Sequence, residues 1–257
     1  MTPRILIIAG SDSGGGAGIQ ADIKTVTMLG GHAMTAITAV TAQNTLGVDA
    51  VHAIPTDIVI AQIDAVVSDI WVDAIKIGMI GSAQTAAAVA DYLSLLPSRN
   101  RKPGEGEVPV VFDPVMVATS GSTLADAATI TAFERLIALA TIVTPNLPEL
   151  EALGGEAALT GRATVLIKGG HASDDILTDR LVDATGERAR WSDLRIDTRH
   201  THGTGCTLAS AIAVGLAEGM SLPDAITRAR AFVRSALLAA PCFGAGNGPM
   251  GHQAVQR

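Results

Sequence analysis

The amino-acid sequence predicts an α/β protein with a mostly parallel central sheet and helices on both faces, and three observations carry that expectation. Short β-branched runs alternate with alanine-rich stretches of helical period through the first two thirds of the chain. The 27 glycines gather where such a run meets a helix, as tight connections require, and form no low-complexity tract. Hydrophobic residues make up 48% of the 257 residues but aromatics only 3%, so the core of one sizeable domain has to be built from Ala, Val, Ile and Leu.

Taken in order, the strand candidates are Arg4–Ala9, Ala36–Thr41, Ala74–Ile77, Val110–Phe112, Ile142–Thr144 and Thr164–Lys168. Helices are expected near Ile19–Leu29, Thr56–Ser68, Ala83–Leu95, Thr129–Ala140 and Leu147–Leu153. Strand, helix and strand at this spacing favour parallel pairing, and in such sheets ligands sit at the carboxyl ends of the strands. The pattern changes after Lys168. Ile176–Val182 and Glu187–Ser192 flank Asp183-Ala-Thr-Gly186 and read as a hairpin. Two long helices, near Thr204–Glu218 and Pro223–Ala239, close the chain. Pro97–Pro109 reads as an exposed polar loop, and the glycine-rich segment from Gly244 onward as a loose tail. With no repeat and no linker, residues 1–257 are expected to form a single domain.

Eighteen Lys and Arg against 25 Asp and Glu give a net charge of −7, which disfavours nucleic acid or an anionic membrane as partner. Any site for phosphates must therefore make its positive potential locally. Two cysteines, Cys206 and Cys242, make no disulfide framework. The first residues lack a signal-peptide pattern and no apolar run is long enough to span a bilayer, so a cytoplasmic protein is expected.

Gly10-Ser-Asp-Ser-Gly-Gly-Gly-Ala-Gly18 follows the first strand and opens a helix, a place where free N–H groups attract anions. Neither usual phosphate template fits. A dinucleotide fingerprint starting at Gly14 needs glycine where Ile19 stands, and a P-loop needs Gly-Lys-Ser/Thr, whereas the first lysine is Lys24. A second glycine turn, Gly203-Thr-Gly-Cys206, precedes an alanine-rich helix and can form an anion-binding concavity. There the positive helix end is expected to lower the pKa of Cys206. Asn146 and Glu149, in Thr144-Pro-Asn-Leu-Pro-Glu149, follow another strand; read alone they are a helix cap, but both can also face a metal-phosphate. Asp113 follows a buried strand, and Lys168 ends another and offers the positive charge the site needs. An acid, an Asn/Glu pair, a lysine and a glycine-lined helix terminus at one sheet edge match the needs of phosphoryl transfer.

These motifs carry a family resemblance. "GTGC" before a long helix, "TPNLPE" and "KGGH" resemble the ribokinase-like superfamily of small-molecule kinases. "IAGSDSGGGAGIQADIKT", "AVTAQNTLGV", "DAIKIGMIGS", "DPVMVATSG" and "HGTGCTLASAIA" are similar to the hydroxymethylpyrimidine and phosphomethylpyrimidine kinases of thiamine biosynthesis. The resemblance runs from Ile5 to about Leu238. It implies a three-layer α/β/α fold with a small β flap, a homodimer, and two successive transfers from Mg²⁺-ATP. The first goes to the hydroxyl of 4-amino-5-hydroxymethyl-2-methylpyrimidine, the second to the monophosphate so formed.

By matching motif, the resemblance implies that Gly10 and its loop lie over the pyrimidine, that Asp22 and Gln43 hold it, and that Met79 packs on the ring. Gln43 suits the task, because an amide can accept from an exocyclic amine while donating to a ring nitrogen. Lys168 would reach the phosphates, Asn146 and Glu149 would serve the nucleotide, and Asp113 and Glu149 would serve Mg²⁺ through water. Gly203, Thr204 and Gly205 would cradle the phosphate, with Cys206 standing where most of the superfamily places an aspartate base. One departure stands out: Thr119-Ser-Gly-Ser122 replaces the family's common Lys-Ser-Gly-Asp, removing one charge of each sign. A pyridoxal kinase of the same superfamily is the nearest rival reading. A cysteine hydrolase using Cys206 and His202, and a non-catalytic nucleotide sensor, are more remote. His200 and His202, with no third ligand at suitable spacing, read as loop histidines rather than a metal site.

Overall fold

Strand β1 (Arg4–Asp12) shows why helices cover both sides of the sheet. Its side chains alternate, so Ile5, Ile7 and Ala9 enter one core while Leu6 and Ile8 enter the other, and all five are shut off from solvent. The computed structural model describes residues 1–99, 107–118, 121–171 and 175–255. The strands that follow are β2 (His32–Gln43), β3 (Val48–Ala53), β4 (Ala74–Ile77), β5 (Val110–Phe112), β6 (Ile142–Val143), β7 (Val165–Ile167), β8 (Ile176–Asp183) and β9 (Gly186–Leu194). They form one sheet in the order β3-β2-β1-β4-β5-β6-β7-β8-β9. Pairing is parallel from β2 through β7 and antiparallel at β2/β3, β7/β8 and β8/β9.

Helices α1 (Gly18–Met28), α7 (Thr204–Ala217) and α8 (Leu222–Leu238) cover the face that carries Ile5 and Ile7. Helices α2 (Thr56–Asp69), α3 (Ala83–Arg99) and α4 (Ala127–Leu139) cover the other, together with the short α5 (Leu147–Ala152) and α6 (Glu156–Thr160). On that side Phe112 and Phe133 meet edge to face, with centroids 5.2 Å apart. The three-layer α/β/α ribokinase-like architecture is therefore present, with β2 and β3 as a small antiparallel ribbon at one end of the sheet.

The structure departs from the expected layout in four places. Strand β3 is exposed at nearly every residue, so it has no buried face to produce alternation in the sequence. Helix α6 is only five residues long, too short for a periodic signal. The segment from Gly244 is not loose as far as Val255. The Asn247 N–H donates to the Thr45 carbonyl, and Met250 and His252 are buried, His252 with its Nε2 2.8 Å from Thr207 Oγ1 on α7. Helix α3 occupies the start of the expected Pro97–Pro109 loop through Arg99, and residues 100–106 lie outside the described residues.

Candidate active site

The carboxyl ends of the parallel strands open onto a cavity of about 670 Å³. Gly10 at the end of β1, Gln43 at the end of β2, Met79 after β4, Asp113 after β5, Lys168 after β7 and Cys206 on α7 all line it. The parallel topology thus gathers residues more than 190 positions apart in the sequence.

The two glycine turns touch. Gly203 caps α7 at φ 86° and ψ 10°, and a Cβ there would stand 2.0 Å from the Gly16 carbonyl oxygen. The glycines of the first loop thus let its backbone lie against the start of α7. The first i→i−4 bond of that helix runs from the Thr207 N–H to the Gly203 carbonyl. Thr204, Gly205 and Cys206 precede that bond, at the positive end of the helix, and line the cavity.

Opposite them lies a charged cluster. Lys168 Nζ donates to Asp113 Oδ1 at 2.8 Å and stands 4.0 Å from Glu149 Oε2; Thr144 Oγ1 donates to the same Asp113 oxygen at 3.0 Å. Burial opposes the charge on Asp113, but Lys168 and Lys76 outweigh it and hold the carboxyl below its usual range. Glu149 goes the other way, pushed up by burial and by Asp113 despite Lys168. Asn146 and Glu149 form a capping box at α5, each side chain bonded to the other's backbone N–H at 2.9 and 2.8 Å. The helix cap and the cavity-lining role coexist, because both residues also face the cavity.

Two expectations need correction. Asp22 does not reach the cavity. It is fully buried, accepting from Lys76 Nζ at 2.8 Å and from Ser210 Oγ at 2.7 Å. A helix following a glycine loop turns its fifth residue inward here, which the sequence does not reveal. The helix end also fails to lower the Cys206 thiol. Burial pushes it up to about 11, helped by Asp22 and Asp113 and opposed by Lys76.

Sequence reasoning passed over Asp12 and misjudged His202. Asp12 accepts from the N–H groups of Gly14 (2.8 Å), Gly16 (3.0 Å) and Ala17 (2.8 Å), so it shapes the glycine loop. Burial opposes its charge, but His202 and these N–H groups outweigh it and keep its pKa low. His202 is no ordinary loop histidine: it is 7% exposed, with Nε2 2.9 Å from Asp12 Oδ2 and 3.2 Å from Gln43 Nε2. The signal was the Ser-Asp-Ser flanking the glycines, polar residues of the type that fold back on loop backbone. The His202 Nε2 contacts with Asp12 and Gln43 also weaken the hydrolase reading, which wanted that ring beside Cys206. His200 is buried near the second turn but lines no part of the cavity. Thr119 lies outside the described residues; Ser122, whose backbone carbonyl accepts from Ala118, is within them.

The model of the family described as phosphomethylpyrimidine kinase matches residues 12–251, which hold every one of these cavity motifs except Gly10. The chain belongs to this kinase family. It is 45% identical to a hydroxymethylpyrimidine/phosphomethylpyrimidine kinase of Rhizobium meliloti, over 98% of this chain and 97% of that one. It is 46% identical to a thiamine biosynthesis bifunctional protein of Geobacter sulfurreducens over 96% of its own length, and spans about half, 52%, of that longer relative. Among solved structures it resembles the ADP complex of Bacillus subtilis pyridoxal kinase, with a TM-score of 0.84 and 31% identity over 99% of this chain and 98% of that one. The protein is thus an ATP-using kinase for a small molecule. Among its described residues no helix is long and apolar enough to cross a membrane.

Proposed function

We propose that this kinase phosphorylates 4-amino-5-hydroxymethyl-2-methylpyrimidine and then its monophosphate, in thiamine biosynthesis. The observation that carries the proposal is one cavity with two unlike ends. Gln43, Met79 and the glycine loop offer a partly apolar wall with a donor–acceptor amide, and the start of α7 with Lys168 offers a phosphate-binding end.

In this reading the chain itself contributes mainly position and charge, as phosphoryl transfer requires. Met79 packs against the ring while Gln43 selects its edge. The first turn of α7 meets the charge that builds on the transferring group, and Lys168 leaves Asp113 for the phosphates. Cys206 starts as a neutral thiol. Only its thiolate can take the hydroxyl proton, so the first transfer draws on the small ionised fraction of this thiol. The second needs no such base, since the attacking phosphate is already anionic.

Asp113 and Glu149 fit Mg²⁺. They are two buried carboxylates that both lie within 4.0 Å of Lys168 Nζ, and among the described residues no group of three or more His, Cys, Asp or Glu is placed as a full protein cage. That donor set suits an ion that keeps its waters and shares phosphate oxygens. When bound, Mg²⁺ would neutralise charge on the nucleotide phosphates. A cytoplasmic homodimer is the assembly and compartment inferred from the family, checked by light scattering of the purified protein.

The fold shared with pyridoxal kinase supports a second reading, a pyridine rather than a pyrimidine acceptor. Mass spectrometry of reactions with Mg²⁺-ATP and hydroxymethylpyrimidine, its monophosphate or pyridoxal, each alone, separates them. Mono- and diphosphopyrimidine are the expected products. Turnover of pyridoxal alone would overturn the pyrimidine assignment, and monophosphate alone would mean a kinase that stops after one step, with Thr119–Ser122 the first segment to test by substitution.

A further inference from the structure

Gln43 is held from three sides by the glycine loop and its partners. Its backbone N–H donates to Ser13 Oγ at 2.8 Å, and Ser13 Oγ donates to the Gln43 carbonyl at 2.8 Å. Its side-chain amide lies between Thr41 Oγ1, 3.1 Å from Oε1, and His202 Nε2, 3.2 Å from Nε2. The two orientations of an amide are nearly isosteric, so hydrogen counting decides between them.

His202 Nε2 stands 2.9 Å from Asp12 Oδ2, a carboxylate that already accepts three backbone N–H groups. A carboxylate only accepts, so His202 Nε2 must carry the proton. It then has no lone pair with which to accept from the Gln43 amino group; its one hydrogen, given to Asp12, can be shared with a Gln43 carbonyl oxygen at that position, the longer of the two contacts. At the other side Thr41 Oγ1 has one hydrogen, and the Ser11 carbonyl, 3.0 Å away, is placed to take it. Thr41 Oγ1 can then accept from the Gln43 amino group. Both contacts are satisfied only when the Gln43 carbonyl faces His202 and its amino group faces Thr41.

We propose that His202, held by Asp12, is a positioning residue that with Thr41 locks the Gln43 amide in this one sense and so sets the ring specificity of the kinase. Each lateral contact uses one hydrogen or one lone pair. The free N–H and the free lone pair remain side by side at the end of the amide, in a fixed order. That edge complements an N=C–NH₂ edge, with the amide carbonyl accepting from the amine and the amide N–H donating to the ring nitrogen. A ring lacking the exocyclic amine leaves the Gln43 oxygen short of a donor. The inference rests on the pyrimidine reading above.

The test compares hydroxymethylpyrimidine with the analogue that carries hydrogen in place of the 4-amino group, as substrates of the full-length enzyme with Mg²⁺-ATP. In wild type the amino compound should be favoured in kcat/KM by at least about tenfold, the worth of one well-placed hydrogen bond. His202→Leu should raise KM for the amino compound and collapse that preference to near unity, with KM for ATP unchanged. His202→Gln, which can return an N–H donor to the same place, should restore most of it. Thr41→Val is a gentler change on the opposite side and should erode the preference on its own, even if His202→Leu does not fold. If His202→Leu and Thr41→Val slow both substrates equally and keep the preference, the positioning role is overturned while the pyrimidine reading stands. If wild type turns over neither pyrimidine, the functional reading fails, and this inference fails with it.

Discussion

Lys76 Nζ lies 2.8 Å from Asp22 Oδ2 with neither side chain reached by solvent. Ser210, four residues after Cys206 on α7, donates to the other Asp22 oxygen at 2.7 Å. Asp22 lies on the second turn of α1, so it ties that helix to β4 through Lys76 and to α7 through Ser210. Burial opposes the Lys76 charge, but the carboxylates of Asp22 and Asp113 outweigh it and raise its pKa above the usual lysine value. Removing one partner strands the other. Lys76→Met should therefore cost about 3–5 kcal/mol in urea unfolding, and Asp22→Asn combined with it should recover most of that loss. A double variant no more stable than the single one would show that the pair is not a closed unit.

The raised Cys206 thiol gives the two transfers different pH dependences. A thiol near 11 is almost wholly protonated at pH 7, and its thiolate fraction grows about tenfold per pH unit. If the thiolate takes the hydroxyl proton, kcat/KM of the first transfer climbs between pH 7 and 9 while that of the second stays flat. Cys206→Ala should reduce the first transfer by about 10²–10⁴ and the second far less. Equal losses in both steps would mean that the thiol positions the acceptor without moving a proton.

The contact between the glycine turns separates two substitutions only two residues apart. Gly203→Ala places a methyl 2.0 Å from the Gly16 carbonyl at a positive φ, so the first loop and the start of α7 must part. A fall of about 10²–10³ in kcat is expected for both transfers. Gly205→Ala meets Lys168 Nζ at 3.2 Å and Asp113 Oδ2 at 3.3 Å, and the lysine can give way. It should keep more activity and shift KM for ATP. Steady-state kinetics on both variants, with melting curves alongside, check the order; the reverse order would sink the steric argument.

His252 makes the chain acid-sensitive. Burial, with some help from Lys24, lowers its pKa to about 4 against an ordinary 6.5. A group whose folded pKa is depressed contributes stability above its unfolded value and loses it as pH falls. Stability should drop between about pH 6.5 and 4, by on the order of 3 kcal/mol from this group alone. Urea unfolding of wild type and His252→Gln across that range checks it, with a flatter curve expected for the variant. Parallel curves would assign the acid loss to other groups.

Much of this could be read from the sequence, because alternation and glycine placement are local. Apolar runs such as Ile5–Ala9 specify strands buried on both faces, and the turns after them put Asp113, Lys168 and Gly203–Cys206 at one sheet edge. What a side chain does at that edge depends on neighbours distant in the chain. Asp22 is held under the cavity by Lys76 and Ser210 rather than facing into it. The Cys206 thiol answers to burial and to two carboxylates that the fold brings near it, because removing water from a charge is costly. The role of His202 exists only because Gly16 and Gly203 allow two turns, nearly 190 residues apart, to come into contact. Periodicity determined the layers and the location of the site; desolvation and close packing, set by the tertiary fold, decided the state of each group within it.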